Sequence, residues 1–196
     1  NMTTAQVGAM TTSQVAALTT NQTANMTTAQ VVALTTAQVI KLSTADIAAM
    51  TTSQIAGMET RDLAALTTTQ TANLTTNQVS SLTTSQMAAL TYLQIAALTT
   101  SQAASLTTAQ VVALTTAQVI KLSTADIAAM GTGQIASLST ADILVFNTSQ
   151  VKALTTSQVS SLTTTQVNAL TTAQVDALTS SQVQALTTTQ IQYLHL

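Results

Sequence analysis

Four acidic residues occupy equivalent positions of an eight-residue repeat, and their carboxylates are the side chains in this sequence best able to act as metal ligands. Asp46, Asp62, Asp126 and Asp142 all stand at a position where the other repeats of the chain have Gln. Carboxylates on neighbouring coils of a repeat could approach one another and bind a hard cation. Calcium, however, takes six to eight oxygen ligands, and the local sequence has no Gly- and Asp-rich loop to supply them. We therefore predict no metal site.

Nucleophilic catalysis has many hydroxyl groups available but no partner for them. The chain has no Cys and a single His, His195, beside its end, so a Ser–His pair of the hydrolase type is not expected. The cluster Glu59, Arg61 and Asp62 is typical of surface ion pairing. We predict no catalytic residues, no cofactor and no enzyme activity.

The composition limits the partners. Only 5% of the residues are charged, and four basic residues cannot supply a phosphate-binding surface, so nucleic acid is not expected. The chain has no run of about 18 apolar residues, so no membrane span is expected. The partners that remain are flanking domains of the same polypeptide and other copies of the chain, in lateral or end-to-end self-association.

One eight-residue repeat accounts for nearly the whole sequence. Leu, Met or Phe occupies residue 2 and every eighth residue up to 194, so residues 2–193 form 24 octads. Numbered from this apolar residue, the consensus octad is L-T-T-A-Q-V-A-A. The fifth position is Gln in 20 octads and Asp in four, and the third is Thr in 22. We predict that residues 1–196 are a single repeat array within a longer protein.

A longer duplication lies over the octads. Residues 27–50 recur unchanged at 107–130, an offset of 80 residues or ten octads. Recent gene duplication explains this, and an 80-residue functional module is the alternative. Insertion of whole octads is tolerated when each repeat contacts mainly its neighbours.

Three backbones compete for an eight-residue period. A single long helix would wind the Leu stripe around its whole surface, because eight residues overshoot two helical turns by about 80°. A β-solenoid suits Thr, Val and Ile but lacks the Gly, Asn and Pro of its corners. One short helix per octad fits best, and we predict an all-α superhelical solenoid of such helices with a continuous Leu and Val core.

Helix-start signals support this prediction. The second position is Thr or Ser in nearly every octad and the fifth is Gln or Asp, which is the spacing of the capping box; the apolar first and sixth positions match the hydrophobic staple. Isolated helices this short do not persist in water, so packing must hold them. The residues predicted to be structural in two representative octads are Leu34, Thr35, Thr36, Gln38, Val39, Leu114, Thr115, Gln118 and Val119.

The third and seventh positions are the candidates for a further role. For the third-position Thr we favour a buried hydroxyl that bonds a neighbouring coil, with an exposed functional array as the alternative. The seventh position is apolar in part of the array and polar from Lys152 onward, which is typical of a solvent-facing site. Residues that we predict to contact a partner are Ile40, Ile120, Leu144 and Val145.

The L-T-T-x-Q-V-x-A octads resemble the octapeptide arrays of very large bacterial surface or secreted proteins of the adhesin-like kind. The resemblance covers the whole chain and implies a rod, spacer or scaffold segment that is secreted or displayed on the cell surface. It carries over no catalytic residue. Two other functions stay open: a surface- or ice-binding module that uses a regular Thr array, and a self-assembling filament or protein-binding scaffold.

Overall fold

A computed structural model describes residues 2–194, so His195 lies outside the described residues. Each octad in this range contains one short helix, and the range contains no strand. The chain divides into two compact units, residues 1–98 and 99–196. The prediction of an all-α solenoid with one helix per octad is confirmed.

The first unit contains twelve of the described helices: α1 Thr4–Gly8, α2 Thr12–Ala16, α3 Thr20–Ala24, α4 Thr28–Val32, α5 Thr36–Val39, α6 Thr44–Ala49, α7 Thr52–Gly57, α8 Thr60–Ala65, α9 Thr68–Ala72, α10 Thr76–Ser81, α11 Thr84–Ala89 and α12 Tyr92–Ala96. The second unit contains the other twelve: α13 Thr100–Ser105, α14 Thr108–Val112, α15 Thr116–Val119, α16 Thr124–Ala129, α17 Thr132–Ser137, α18 Thr140–Leu144, α19 Thr148–Ala153, α20 Thr156–Ser161, α21 Thr164–Asn168, α22 Thr172–Asp176, α23 Ser180–Ala185 and α24 Thr188–Ile191.

The capping box starts nearly every helix, as the sequence predicts. At α7 the Thr51 hydroxyl accepts from the Gln54 N–H at 3.2 Å, and the Thr51 N–H donates to Gln54 Oε1 at 2.6 Å. Three helices depart from the full motif. In α5 the Gln38 N–H donates to the Thr35 carbonyl. The N-cap residue of α8 is Glu59, which makes no cap bond, and the N-cap residue of α17 is Gly131, which has no hydroxyl.

Within each unit the helices stack as the coils of a solenoid. Helix n packs against helix n+3, as α4 packs on α7 and α7 on α10 in the first unit, and as α17 packs on α20 and α20 on α23 in the second. The bonds that Gln side chains make between coils join residues 28 to 31 positions apart. Because three octads are 24 residues and four are 32, one coil takes between three and four octads.

The core of each unit is built from two positions of the octad. The sixth-position Val or Ile is the more deeply buried, and Ile55 and Ile135 are fully inaccessible to solvent. The first-position Leu or Met is also buried in this core, as at Leu66 and Leu138. Short helices of this length are marginal alone, so this burial is what holds them in place. Burial of one such side chain is worth about 1.5–3 kcal/mol.

Candidate functional site

The fifth-position Gln joins successive coils. Gln54 is buried, with an exposed fraction of 2%. Its Oε1 completes the capping box of its own helix, while its Nε2 donates to the carbonyl of Met26 at 2.6 Å. The same nitrogen also lies within bonding distance of the carbonyls of Thr23 and Ala24, at 3.2 and 3.3 Å. One amide therefore caps its helix and fastens it to the end of a helix in the coil before.

This bridge repeats throughout both units with little variation. The distance from Nε2 to the carbonyl 28 residues earlier is 2.6–2.9 Å in every instance within a unit. The amides that make it are Gln30, Gln38, Gln54, Gln70, Gln78, Gln86 and Gln94 in the first unit, and Gln134, Gln150, Gln158, Gln166, Gln174, Gln182 and Gln190 in the second.

Sequence reasoning found only half of this role. The capping box accounts for a Gln or Glu at the fifth position, yet Glu never occurs there. The absence of Glu was the available signal that the Gln side chain also acts as a donor. Glu completes a capping box as well as Gln does, but it has no side-chain N–H to donate to another coil. Of the residues predicted to be structural, Gln38 donates to the carbonyls of Val7 and Met10 at 3.1 and 2.7 Å, and Leu34 and Val39 are buried. Their counterparts in the second unit, Leu114, Gln118 and Val119, are buried as well.

The octads of Asp46 and Asp142 keep the capping box and lack the bridge. Asp46 Oδ2 accepts from the Ser43 N–H at 3.0 Å and from the Ser43 hydroxyl at 2.6 Å. Asp142 makes the same two bonds with Ser139, at 3.0 and 2.6 Å. Both carboxylates are as buried as the Gln side chains, with exposed fractions of 2% and 4%. Having no N–H, neither can donate to the coil before.

Asp62 has different surroundings. Its Oδ1 accepts from the Thr36 hydroxyl of an earlier coil, and the guanidinium Nε of Arg61 lies 3.7 Å from the same oxygen. Arg61 also pairs with Glu59 at 2.9 Å. Arg61 and Glu59 are exposed, so this pair adds little stability, but it places a positive charge beside the buried carboxylate. The ion pairing predicted for this cluster is present.

The third-position threonines do not occupy the buried site that the sequence favoured. In the described part of the chain all of them are exposed or half-buried, and so are the second-position residues that precede them. Thr35 and Thr115 are exposed, whereas Thr36 is half-buried and holds Asp62. The prediction of a buried hydroxyl was wrong because the third position is the first helical residue, which faces away from the core. The two positions together expose a hydroxyl-rich face.

The seventh position forms an apolar stripe in part of each unit. Ile40 is 39% exposed in the first unit; in the second, Ile120 is 44% exposed and Leu144 is 48% exposed. Ile120 directly follows α15 and Leu144 ends α18, and these two helices pack on each other. Val145, the remaining predicted contact residue, is half-buried. The stripe is accessible to solvent, and the fold does not indicate which partner would bind to it.

The described residues contain no group of three or more His, Cys, Asp or Glu side chains placed to hold a metal ion. Two surface depressions, one beside Asn168 and Tyr193 and one beside Gln22 and Met26, are lined by hydroxyl, amide and apolar groups. The longest helices between residues 2 and 194 have six residues, far fewer than the roughly 20 needed to cross a bilayer. Among these helices, accordingly, there is no candidate membrane span.

Comparison with known proteins places the repeat in a family. No curated protein matches the chain. The model of the ALTTAQ repeat, by contrast, matches eight segments that together span almost the entire sequence: residues 1–28, 24–60, 55–92, 93–124, 108–140, 119–156, 135–172 and 168–195. The chain therefore belongs to the ALTTAQ repeat family, as a tandem array of that repeat.

Proposed function

We propose that this array is a structural spacer or scaffold segment of a larger exported bacterial protein, with no catalytic activity of its own. The observation that carries the proposal is the amide bridge that the buried fifth-position Gln residues make to the carbonyl 28 residues earlier, as from Gln54 to Met26. Because the coils within each unit are fastened to one another by the same bonds, each octad adds the same increment of length within its unit. A spacer needs this property: its length follows directly from the number of repeats.

The surface chemistry supports the same proposal. The faces turned to solvent carry Thr, Ser, Asn and Gln, and the net charge of the chain is −2. A neutral surface of hydroxyl and amide groups is hydrated but generates no strong electrostatic field. The solubility of the chain therefore depends little on ionic strength. Segments that join other domains in a variable ionic environment benefit from this. The absence of Cys from the sequence and its low charge also favour export.

The duplicated segment allows a test of the spacer without a foreign junction. Removing residues 27–106 joins residue 26 to residue 107, and the sequence after the junction is unchanged because 107–130 is identical to 27–50. The shortened chain has 196 − 80 = 116 residues. Small-angle scattering of the monomers should give a maximum dimension that falls to about 0.6 of the full-length value, since a spacer scales linearly with octads.

A globular chain gives a different result in the same experiment. Its radius of gyration scales with about the 0.38 power of length, so the ratio would be about 0.8, and the full chain would have a radius of gyration of about 16 Å. A ratio of about 0.8 together with a radius of gyration of about 16 Å would refute the proposal that the array is a spacer. Labelling of intact and permeabilised cells with an antibody to the array tests export separately, and signal from permeabilised cells alone would contradict it.

The exposed hydroxyl face favours a second candidate, binding to ice or another periodic surface. The third-position Thr is kept in 22 octads although the structure buries none of those residues within the described range. Thermal hysteresis and ice shaping by the purified chain would support this function. A variant with Ser at the third positions of one unit keeps the hydroxyls and removes the methyl groups, so a loss of hysteresis in it would assign the activity to this face.

Lateral association is the third candidate, and the apolar stripe at Val112, Ile120 and Leu144 favours it because Val112 is 62% exposed. Sedimentation equilibrium of the wild type and of Val112→Lys tests it. Concentration-dependent association that the substitution weakens would support a self-assembling scaffold, whereas a wild-type chain that stays monomeric would exclude it.

A further inference from the structure

Each coil of the solenoid has two chemically different faces. One carries the fifth-position Gln, whose Nε2 donates to the coil before it, and we call this the donor face. The other carries the main-chain carbonyls of the first-position residues, which accept from the coil after it, and we call this the acceptor face. Gln54 Nε2 and the Met26 carbonyl, 2.6 Å apart, show how the two faces meet.

The donor face of the first coil in the first unit is open. Gln6, Gln14 and Gln22 each complete the capping box of their own helix through Oε1. Their Nε2 atoms donate to no other coil in the described part of the chain, and the three side chains are exposed, whereas Gln54 is buried. This face therefore presents three N–H donors, eight residues apart, that lack the acceptors their equivalents have elsewhere.

The acceptor face of the last coil in the second unit is open in the complementary way. The Leu162 carbonyl accepts from Nε2 of Gln190 at 2.7 Å. The equivalent carbonyls in the three octads that follow belong to Leu170, Leu178 and Leu186, and no N–H or O–H between residues 2 and 194 donates to them. Three acceptors with the same eight-residue spacing thus lack donors.

Apolar side chains are exposed on the same two faces. On the donor face Met2 is 41% exposed, and it lines one surface depression together with Gln22. On the acceptor face the sixth-position residues Val183 and Ile191 are 42% and 51% exposed, whereas Ile55, at the same octad position between two coils, is inaccessible to solvent. Each face is therefore one half of the interface that joins coils inside the chain.

We propose that the acceptor face of the last coil binds the donor face of the first coil in a second copy of this chain, so that copies associate head to tail. The occupant is indicated by the interface between coils, because the Gln amides, first-position carbonyls and apolar side chains on the two open faces are the groups that meet between Gln54 and Met26. Both sets are spaced by eight residues, so one correct bond brings the others into register.

The chemistry of the faces also determines the polarity of the contact. Two donor faces brought together leave their Nε2 groups without acceptors, and two acceptor faces oppose carbonyl oxygens, so neither pairing satisfies the buried polar groups. Head-to-tail contact satisfies both faces. It leaves one donor face and one acceptor face open on every complex, and such a contact continues into a filament unless the copies close a ring. This association is additional to the proposed spacer function and does not depend on it.

Sedimentation equilibrium of the full chain at constant ionic strength tests the proposal. We expect the weight-average mass of the wild type to rise with concentration. The variant Gln6→Glu/Gln14→Glu/Gln22→Glu keeps the oxygens that complete the capping boxes but removes the three donors and sets carboxylates against carbonyls. Its association constant should be about 100-fold lower or less still, because three hydrogen bonds are lost. A wild type that is monomeric at every concentration would overturn the proposal and leave the spacer intact.

The matched control places three carboxylates on another surface. Ala96, Ala104 and Ala128 are exposed seventh-position residues, and their substitution by Glu changes the net charge equally, so this control should associate as the wild type does. A donor-face variant that associates as strongly as this control would overturn the proposal. Val112→Lys should also associate as the wild type does, and loss of association in it would assign the contact to the apolar stripe instead.

A mixing experiment tests the polarity directly. Ile191→Lys places a charge on the acceptor face and leaves the donor face unchanged, and circular dichroism checks that both variants are folded. Each variant alone should be monomeric. An equimolar mixture of Ile191→Lys and the donor-face variant should form complexes of two chains and none larger, because each partner keeps one competent face. A mixture that stays monomeric, or that forms complexes of more than two chains, would contradict head-to-tail binding.

Discussion

The side-chain amide of Gln54 donates to the main-chain carbonyl of Met26, which is 28 residues earlier and one coil away. The same side chain accepts the N–H of Thr51 and so begins its own helix. Local helix formation and the stacking of coils therefore depend on one residue. This is the reason that an array of helices with four to six residues can be stable, although such helices do not form alone.

The first prediction separates the two roles of this Gln. Gln54→Glu keeps the oxygen that accepts the Thr51 N–H but replaces the amide donor with a carboxylate that faces buried carbonyls. We expect the free energy of unfolding to fall by about 3 kcal/mol or more, because the bonds across coils are lost and a charge is buried without a partner. Urea unfolding followed by far-UV circular dichroism measures the change.

Gln14→Glu provides the control for that experiment. Gln14 makes the same capping box with Thr11, at 2.7 and 3.2 Å, but it is exposed and bonds to no other coil among the described residues. Its substitution should change the free energy of unfolding by less than about 0.5 kcal/mol. Similar losses in the two variants would show that capping alone, and not the bridge, stabilises the array.

The sequence predicted the local structure well because helix starts depend on near neighbours. The second and fifth positions define a capping box three residues apart, and the observed helices begin where that motif predicts. The burial of Gln54 was not predictable in this way, because it depends on how many octads complete one coil. Rotation and rise per octad arise from packing between coils, and a repeat of identical units carries no marker of which distant octad a given residue meets.

The same reason explains the error over the third position. Thr36 was predicted to be buried from its near invariance alone, and invariance does not tell which way a side chain faces. Its hydroxyl does bond across coils, but to Asp62, whose position in a later coil only the structure reveals. The apolar stripe at Ile40 and Ile120 was accessible to prediction because the seventh position turns polar elsewhere in the array, and that drift marks a solvent-facing site.

A second prediction concerns α17, the helix whose N-cap residue is Gly. The N-cap residue Gly131 has φ −73° and ψ 158°, a conformation open to any residue, and a Cβ added there would come no closer than 3.5 Å to its nearest neighbour, Gln134 Oε1. Gly131→Ser should stabilise the chain by about 0.5–1 kcal/mol, because the hydroxyl completes the capping box and the unfolded chain loses freedom. The midpoint of urea unfolding reports the gain.

Gly131→Ala completes this comparison. It restricts the unfolded chain as Ser does but supplies no hydroxyl, and Ala is a poor N-cap. The Ser variant should therefore be more stable than the Ala variant by about 1 kcal/mol. An Ala variant as stable as the Ser variant would mean that the hydrogen bond at the N-cap contributes nothing in this array.

A third prediction compares the stability cost of the same substitution, Ile to Ala, in the core and in the exposed apolar stripe. Ile55, at the sixth position, is fully buried, whereas Ile40, at the seventh, is 39% exposed. Ile55→Ala should lower the free energy of unfolding by about 2–5 kcal/mol through lost burial and the cavity left behind. Ile40→Ala should cost less than about 1 kcal/mol. If Ile40→Ala proved as costly as Ile55→Ala, the seventh position would belong to the core, and the stripe would not be an accessible surface.

The last prediction follows from the spacing of the bridges. Deleting one octad, residues 74–81, removes Gln78, the donor to the Met50 carbonyl. In the shortened chain Gln86 takes its place, because 86 − 8 = 78, and the bridge to Met50 forms again from an identical register. We expect the helical circular dichroism signal per residue and the midpoint of urea unfolding to be close to those of the full chain. Other arrays in which repeats contact mainly their neighbours behave in this way.

Deleting only residues 74–77 is the matched comparison. Half an octad moves every later Gln and Leu four positions out of register with the coils before it, so the bridges across the deletion cannot form and the core side chains no longer meet. This variant should lose helical signal and unfold at a lower urea concentration than the octad deletion does. Equal behaviour of the two deletions would mean that coils stack without regard to register, and the Gln bridge would then have no part in defining the solenoid.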